Sequence, residues 1–263
     1  MLNIITFVGM IRIVLIGGGN LAGHLATVFY QTEGLELVQM YNRTLEKIKP
    51  YEKFTHITDQ IHTLAHADLY IICVSDVGIA EVSQALLPQN GLIVHTSGAT
   101  SIDVLQKHSR RGVWYPLQSF TSSRTPDFSE IPICVESNHW EDLEVLKQVA
   151  RKISQTVYEI DSNQRLQLHL AAVWVNNFVN HLYHVGFDYL EKQQLPQHIL
   201  FPLIKETALR IHDVTPYQAQ TGPAKRGDLP TMHRHLNLLE DDTQKALYKL
   251  ISHSISQTYG KKL

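Results

Sequence analysis

The chain has 263 residues, 44% of them hydrophobic, enough to bury the core of one large domain or two modest ones. Its 23 basic and 25 acidic side chains give a formal net charge of -2. They form no basic arm or patch, which argues against a nucleic-acid partner and for a small-molecule one. Only Cys73 and Cys134 are present, both inside apolar runs, so neither a disulfide framework nor a cysteine metal site is expected and the composition fits a reducing cytoplasm.

In chain order, Met1 to Gly9 is apolar but lacks the basic start and small-residue cleavage site of a signal peptide. Met10 opens the first convincing strand directly, so residues 1–9 read as an upstream extension. Short β-branched apolar runs then alternate with helical stretches, the pattern of a parallel sheet covered on both faces. Strands are predicted over Ile11–Ile16, Leu35–Tyr41, Leu69–Val74, Leu92–His95 and Val113–Tyr115. Ile131–Val135 and Thr156–Ile160 extend the sheet around a helix at Glu141–Ile153, and Thr121–Glu130 reads as a loop. From Asp161 onward the pattern is helical only, with helices expected over Ser162–Gln193, Pro196–His212, Leu229–Leu239 and Asp241–Tyr259. The first of these is apolar on nearly every side and is expected to be a buried spine. No run approaches the ~20 apolar residues of a membrane-spanning helix, so no membrane partner is expected.

The first strand runs into Gly17-Gly18-Gly19-Asn20-Leu21-Ala22, a Gly-x-Gly-x-x-Ala turn at the mouth of a helix. Gly17 permits the tight turn, Gly19 lets the backbone approach a pyrophosphate, and Ala22 allows close helix-to-strand packing. The anion then lies on the helix N-terminus, where unpaired amides and the dipole favour it. Strand, turn, helix and second strand follow in the order a dinucleotide-binding unit needs. The fold class is therefore α/β, a doubly wound Rossmann domain over residues 1–160 followed by an all-helical domain over 161–263. The second strand ends at Asn42-Arg43-Thr44, where an enzyme using NAD would carry an acid for the ribose hydroxyls. Arg43 instead suits a 2′-phosphate, with Asn42 and Thr44 as hydrogen-bonding neighbours, so the expected cofactor is NADP. By topology, Val74 and Ser75 at one strand end and His95 and Ser97 at the next are expected to line the ribose and nicotinamide side.

The glycine turn, Asn42-Arg43-Thr44, His95-Thr-Ser-Gly98, Tyr115-Pro-Leu-Gln-Ser-Phe120, His169-Leu-Ala-Ala-Val173, Asn176-Asn177-Phe178 and Thr221-Gly-Pro-Ala224 together carry a resemblance. From Met10 on, the chain resembles Rossmann-like NADP oxidoreductases that carry a C-terminal helical domain of unknown function. In its first domain it is similar to pyrroline-5-carboxylate reductase and the deazaflavin-dependent NADP oxidoreductases, and more distantly to β-hydroxyacid dehydrogenases. The resemblance implies an NADP-binding domain and a dimer-forming helical domain, with no substrate established. The proton-transferring lysine of β-hydroxyacid dehydrogenases matches Val173 here, so that mechanism does not carry over.

At 100° per residue His169, Asn176 and Asn180 would fall within about 40° of one another on the spine helix, with His184 near its far end. Such a polar stripe could face an interdomain cleft, with His169 as general acid and Asn176 beside it in the catalytic role, or join helices at a dimer interface. Pro116, Gln118, Asn180, Thr221 and Arg226 are the candidate substrate contacts, each of which also reads as ordinary turn or surface material. Asp228 suits the N-cap of the helix that follows. Neither His181-x-x-His184 nor His233-x-His235 has a convincing third ligand, so no metal is expected.

Two functions stand: an NADP-dependent oxidoreductase acting on a small carbonyl or imine compound, and a non-catalytic NADP-binding sensor or regulator. Reduction of a deazaflavin is a third, needing a wide, flat cleft. Starting the chain at Met10 is expected to leave folding intact, checked by circular dichroism and thermal melting; loss of the cooperative transition would make residues 1–9 part of the fold.

Overall fold

The computed structural model describes residues 9–87 and 89–260, and the stretch 1–8, most of the predicted extension, lies outside them. It divides into two compact units, one running to Val173 and the other beginning at Trp174.

The first unit is built on an eight-stranded sheet: β1 (Ile11–Ile16), β2 (Leu35–Tyr41), β3 (His56–Thr58), β4 (Leu69–Ile72), β5 (Leu92–His95), β6 (Arg111–Pro116), β7 (Ile133–Ser137) and β8 (Val157–Glu159). Its order is β3-β2-β1-β4-β5-β6-β7-β8. The chain reverses direction across the sheet between β2 and β4, on either side of β1, the switch point at which doubly wound folds bind ligands. β1 to β6 are parallel, as expected, but β7 runs antiparallel to β6, with Tyr115 opposite Cys134, and β8 is parallel to β7. The wholly parallel expectation is corrected there: the β6–β7 link of residues 117–132 carries only one short 3-10 turn, Phe128–Glu130, and no crossover helix to carry the chain back to the start of a parallel strand. β3 escaped the sequence reading because a His-Ile-Thr triplet has no periodicity to detect.

The central strands are apolar on both faces because both are covered. Ile13 and Leu15 of β1 join helices α1 (Asn20–Gln31) and α3 (Trp140–Arg151) in one cluster. Val14 and Ile16 join α2 (Asp76–Ala85) in the other. Each such side chain, fully removed from water, contributes about 1.5–3 kcal/mol. Phe29 of α1 packs on Trp114 of β6, ring centroids 6.0 Å apart and edge-on, and both are fully buried.

The unit closes with α4 (Ser162–Ala172). Asp161 caps it, accepting from the Gln164 amide at 2.8 Å while the Gln164 side chain receives the Asp161 N–H at 3.0 Å, so two orphan amides are satisfied reciprocally. The predicted helix Ser162–Gln193 is helical to Lys192, but it changes type within: Val173–Phe178 is π-helical, and α5 (Val179–Lys192) follows directly. The stripe of His169, Asn176 and Asn180 assumed a constant 100° step, and that assumption fails across a π segment. Nor is the spine buried in the single chain, since Leu166, Leu170, Trp174, Val175 and Phe178 are exposed.

In the second unit α5 is followed by α6 (Phe201–Arg210), the single turns α7 (Pro216–Ala219) and α8 (Pro223–Arg226), α9 (Leu229–Leu238) and α10 (Asp242–Tyr259). Asp228 caps α9 as expected, accepting from the Thr231 amide. Ser256 of α10 donates to the Ala224 carbonyl of α8 at 3.0 Å, and His235 of α9 lies 2.8 Å from the Tyr248 hydroxyl of α10. These elements and α5 enclose an apolar cavity of about 390 Å³, walled by Leu182, Val185, Leu247 and Ile251. Among the described residues no helix is long and apolar enough to cross a membrane.

Phe29→Ala is expected to destabilise the first unit by about 3–5 kcal/mol, the cost of an emptied aromatic site in a close-packed core. Urea denaturation checks it, and a loss under 1 kcal/mol would show the α1–β6 contact to be dispensable.

Candidate dinucleotide and proton-donor site

A cavity of about 600 Å³ opens over the carboxyl ends of β1, β2 and β4, lined by Gly17 to Leu21, Tyr41 to Thr44, Lys47, Cys73 to Ser75, Glu81, Val82 and Thr96. Its floor is the glycine turn. Gly17 has φ +140°, and a Cβ there would lie 2.2 Å from the Cys73 carbonyl oxygen, so only glycine fits. A Cβ at Gly19 would meet nothing within 4 Å, which is the room a phosphate needs to reach the backbone. Gly19 is also the N-cap of α1, with no side-chain cap and no acid in the first turn. The first amides of α1, at the cavity floor, therefore meet no side-chain cap and no carboxylate of their own turn. The turn fits a pyrophosphate.

Asn20 and Leu21 line the same floor, and the Asn20 amide nitrogen donates to the Phe120 carbonyl at 3.0 Å, tying the turn to the chain after β6. Ala22 is fully buried under α1, so its place is in helix packing. Of the three residues after β2, Arg43 and Thr44 are exposed. Asn42 is turned inward: its side-chain amide donates to the Thr44 carbonyl at 2.8 Å, and a Cβ on Gly18 would come within 2.9 Å of its side chain. Asn42 thus holds the loop that displays Arg43. Lys47, in a 3-10 turn at Leu45–Lys47, brings a second cation to the same wall; sequence reasoning missed it because its position depends on that turn. Val74 and Ser75 line the other side.

His95 and Ser97 do not face the cavity. His95 is fully buried, with Nδ1 accepting from the Ser97 amide at 3.1 Å and Nε2 3.3 Å from the Ser101 carbonyl. Burial, helped by the Arg165 charge, pushes its imidazole down to about 4, so the ring is neutral near pH 7. The Ser97 hydroxyl organises the same loop, accepting from the amides of Ala99 and Thr100. Thr96, between them, is the residue that lines the cavity.

That loop sits under a polar pair. His169 Nδ1 and the Tyr115 hydroxyl are 3.5 Å apart, with rings edge-on at 6.4 Å. A Cβ on Gly98 would fall 2.7 Å from His169 Nδ1 and 2.9 Å from the Tyr115 oxygen. Burial raises the Tyr115 hydroxyl above the usual phenol range. One helical turn before His169, Arg165 is 1% exposed. It pairs with Glu136 of β7 and donates to the Thr100 carbonyl at 2.6 Å and the Ser162 hydroxyl at 3.1 Å. Sequence reasoning missed Arg165, since a lone arginine in an amphipathic helix looks like any solvated one.

The remaining expected contacts are placed as follows. Pro116 is buried at the end of β6, and Gln118 is exposed with its side-chain oxygen accepting from the Ser119 amide at 2.8 Å. Asn176 and Asn180 are exposed on the π segment and α5, Thr221 borders the cavity of the helical unit, and Arg226 is exposed at the end of α8. Among the described residues no group of three or more His, Cys, Asp or Glu side chains could hold a metal ion.

The chain is similar to a protein of Bacteroides fragilis described as a "putative NADP oxidoreductase", with 40% identity over 94% of this chain and 98% of that one and a TM-score of 0.88. It belongs to that protein's family. A family described as "Domain of unknown function (DUF2520)" matches residues 131–255. A Thermotoga maritima protein (22% identity, 94% and 98% coverage, TM-score 0.72) and a reductive aminase of Aspergillus terreus in complex with NADPH and ethyl levulinate (14%, 95% and 95%, TM-score 0.69) share the fold. No curated protein sequence matches the chain.

Replacing Arg43 and Lys47 together with Ala is expected to weaken binding of the 2′-phosphorylated dinucleotide at least tenfold and to leave NAD binding within about twofold, since each removes a charge-assisted contact. Titration calorimetry checks both, and equal affinity of the unaltered protein for the two dinucleotides would refute the discriminator.

Proposed function

We propose that the protein is an NADP-dependent oxidoreductase that transfers hydride between the nicotinamide and a small carbonyl or imine compound. The observation that carries this reading is the His169–Tyr115 pair beside Gly98. Gly98 lies two residues beyond the cavity-lining Thr96, across the switch point from Arg43. With the pyrophosphate on α1 and the 2′-phosphate at Arg43 and Lys47, the nicotinamide end falls on the β4 and β5 side, towards that pair. When bound in reduced form, the cofactor supplies the hydride. This chain's residues hold it through the glycine turn and the two cations, and His169 supplies a proton to the substrate oxygen or nitrogen. Asn176 assists in the catalytic role, and Pro116, Gln118, Asn180, Thr221 and Arg226 are the proposed substrate contacts.

Membership of the same family as the Bacteroides fragilis protein supports the cofactor and the reaction class. The exposed Trp174, Val175, Ile199, Phe201 and Leu203 support a homodimer, because apolar residues in this number are usually covered by a partner. The two buried free cysteines fit a cytoplasmic protein. A competing reading, a non-catalytic NADP sensor, draws on Val173 standing where related dehydrogenases carry a lysine.

One assay separates them. Purified protein, screened with NADPH against small ketones, imines and 2-oxo acids, is expected to oxidise the cofactor with at least one class. His169→Ala should then lower kcat by about 10²–10⁴, the usual worth of a positioned acid, with NADP affinity unchanged. Full activity in that variant would remove His169 from the mechanism, and no turnover with any class would favour the sensor.

A further inference from the structure

The His169–Tyr115 pair beside Gly98 has a geometry that suits a division of labour, and the inference about it rests on the oxidoreductase reading above. His169 is half-exposed at the end of α4, and only its Nδ1 approaches Tyr115. Tyr115 is held by the sheet, at the register position opposite Cys134. His169 is held by its helix, which Arg165 pins one turn earlier to β7 through Glu136 and to the 97–101 loop through the Thr100 carbonyl. The two rings approach over a residue that has no side chain, and any Cβ at Gly98 would occupy the space between them.

We infer that Tyr115 is a positioning residue for His169: its hydroxyl oxygen receives the imidazolium Nδ1–H, which leaves the Nε2–H as the proton delivered to the substrate.

The step balances. Two electrons and a hydrogen reach the substrate carbon from the reduced dinucleotide, which is oxidised. The Nε2–H bond of His169 breaks as an O–H or N–H bond forms on the substrate. His169 is left as the neutral Nδ1–H tautomer, still directed at the tyrosine oxygen, and solvent returns the proton to Nε2. A separation of 3.5 Å is the outer limit of a hydrogen bond, and such contacts tighten in the substrate complex. Because burial holds the Tyr115 hydroxyl above its usual range, it stays neutral through the working pH and offers a fixed acceptor.

The charged and titratable groups around the pair do not replace this contact. Arg165 on the same helix is matched by Glu136 on β7. His95, pushed down to about 4, is neutral, and burial pushes Cys134 on β7 up to about 11, so it remains a thiol. Asp76, at the start of α2, acts on Tyr115 only as a charge weaker than the effect of burial. The acceptor that selects the Nε2–H tautomeric face for delivery is therefore Tyr115.

The contact sets which ring nitrogen of His169 carries the proton. Nitrogen-15 NMR of the neutral His169 ring, assigned with His169→Gln, should show the Nδ1–H tautomer, and Tyr115→Phe, which keeps the ring but removes the acceptor, should lose that preference. Gly98→Ala, which drives the rings apart, should lose it too. With any substrate that turns over, Tyr115→Phe should lower kcat about tenfold, the scale of one hydrogen bond to a charged group, with KM for NADPH unchanged. An unchanged tautomer in Tyr115→Phe overturns the inference whatever the activity. A lost preference in a protein that turns over no substrate leaves the coupling in place and sinks the oxidoreductase reading instead.

Discussion

The ion pair of Arg165 and Glu136 is the contact on which the rest of the site depends. Removing one partner of a buried pair costs about 3–5 kcal/mol, because the other charge is left without water. Here the pair is also a joint. Arg165 belongs to α4, Glu136 to β7, and the same guanidinium reaches the Thr100 carbonyl in the loop after β5. Ser162 adds to it, donating to Glu136 and accepting from the Ile102 amide. Three separate parts of the chain are thereby fixed at one point, and the residue displayed one turn further along α4 is His169.

The cofactor end works by the opposite means. The anion site proposed there rests on the first amides of α1, which have no side-chain cap and no acid in their turn, and on the cations Arg43 and Lys47 of the cavity wall. At a cavity open to solvent such groups cost little to hold before a ligand arrives. The buried His95 and Ser97 and the half-buried Asn42 are by contrast committed to their own loops. They shape the backbone so that Gly18, Thr96 and Gly98 stand where they do, and the binding groups are carried by their neighbours.

Much of this was legible before any coordinates. The glycine turn, the strand that precedes it, the Arg43 after β2 and the helical character beyond Asp161 are local features, written in neighbouring residues and a short period. His169 stood out because histidine titrates near neutrality. Less visible were Lys47, Arg165 and the partnership of Tyr115 with His169, because each is meaningful only through a residue far away in sequence. Glu136 is 29 positions from Arg165, and Tyr115 is 54 from His169. The reading of His95 as a wall of the cavity failed for a related reason. A strand-end histidine points into the core or out of it according to loop geometry that its neighbours do not encode.

The sequence by itself determined most strands, the helical second half, the phosphate turn and NADP as the expected cofactor, since these follow from residue type at fixed local spacing. Only the tertiary structure decided that β7 reverses direction, that Val173–Phe178 is π-helical within the predicted spine, and that a glycine after β5, a tyrosine from β6 and a histidine from α4 converge. Those outcomes depend on packing between segments distant in the chain, as the reach of Arg165 on α4 to Glu136 on β7 and to the Thr100 carbonyl illustrates, and no local pattern encodes such contacts.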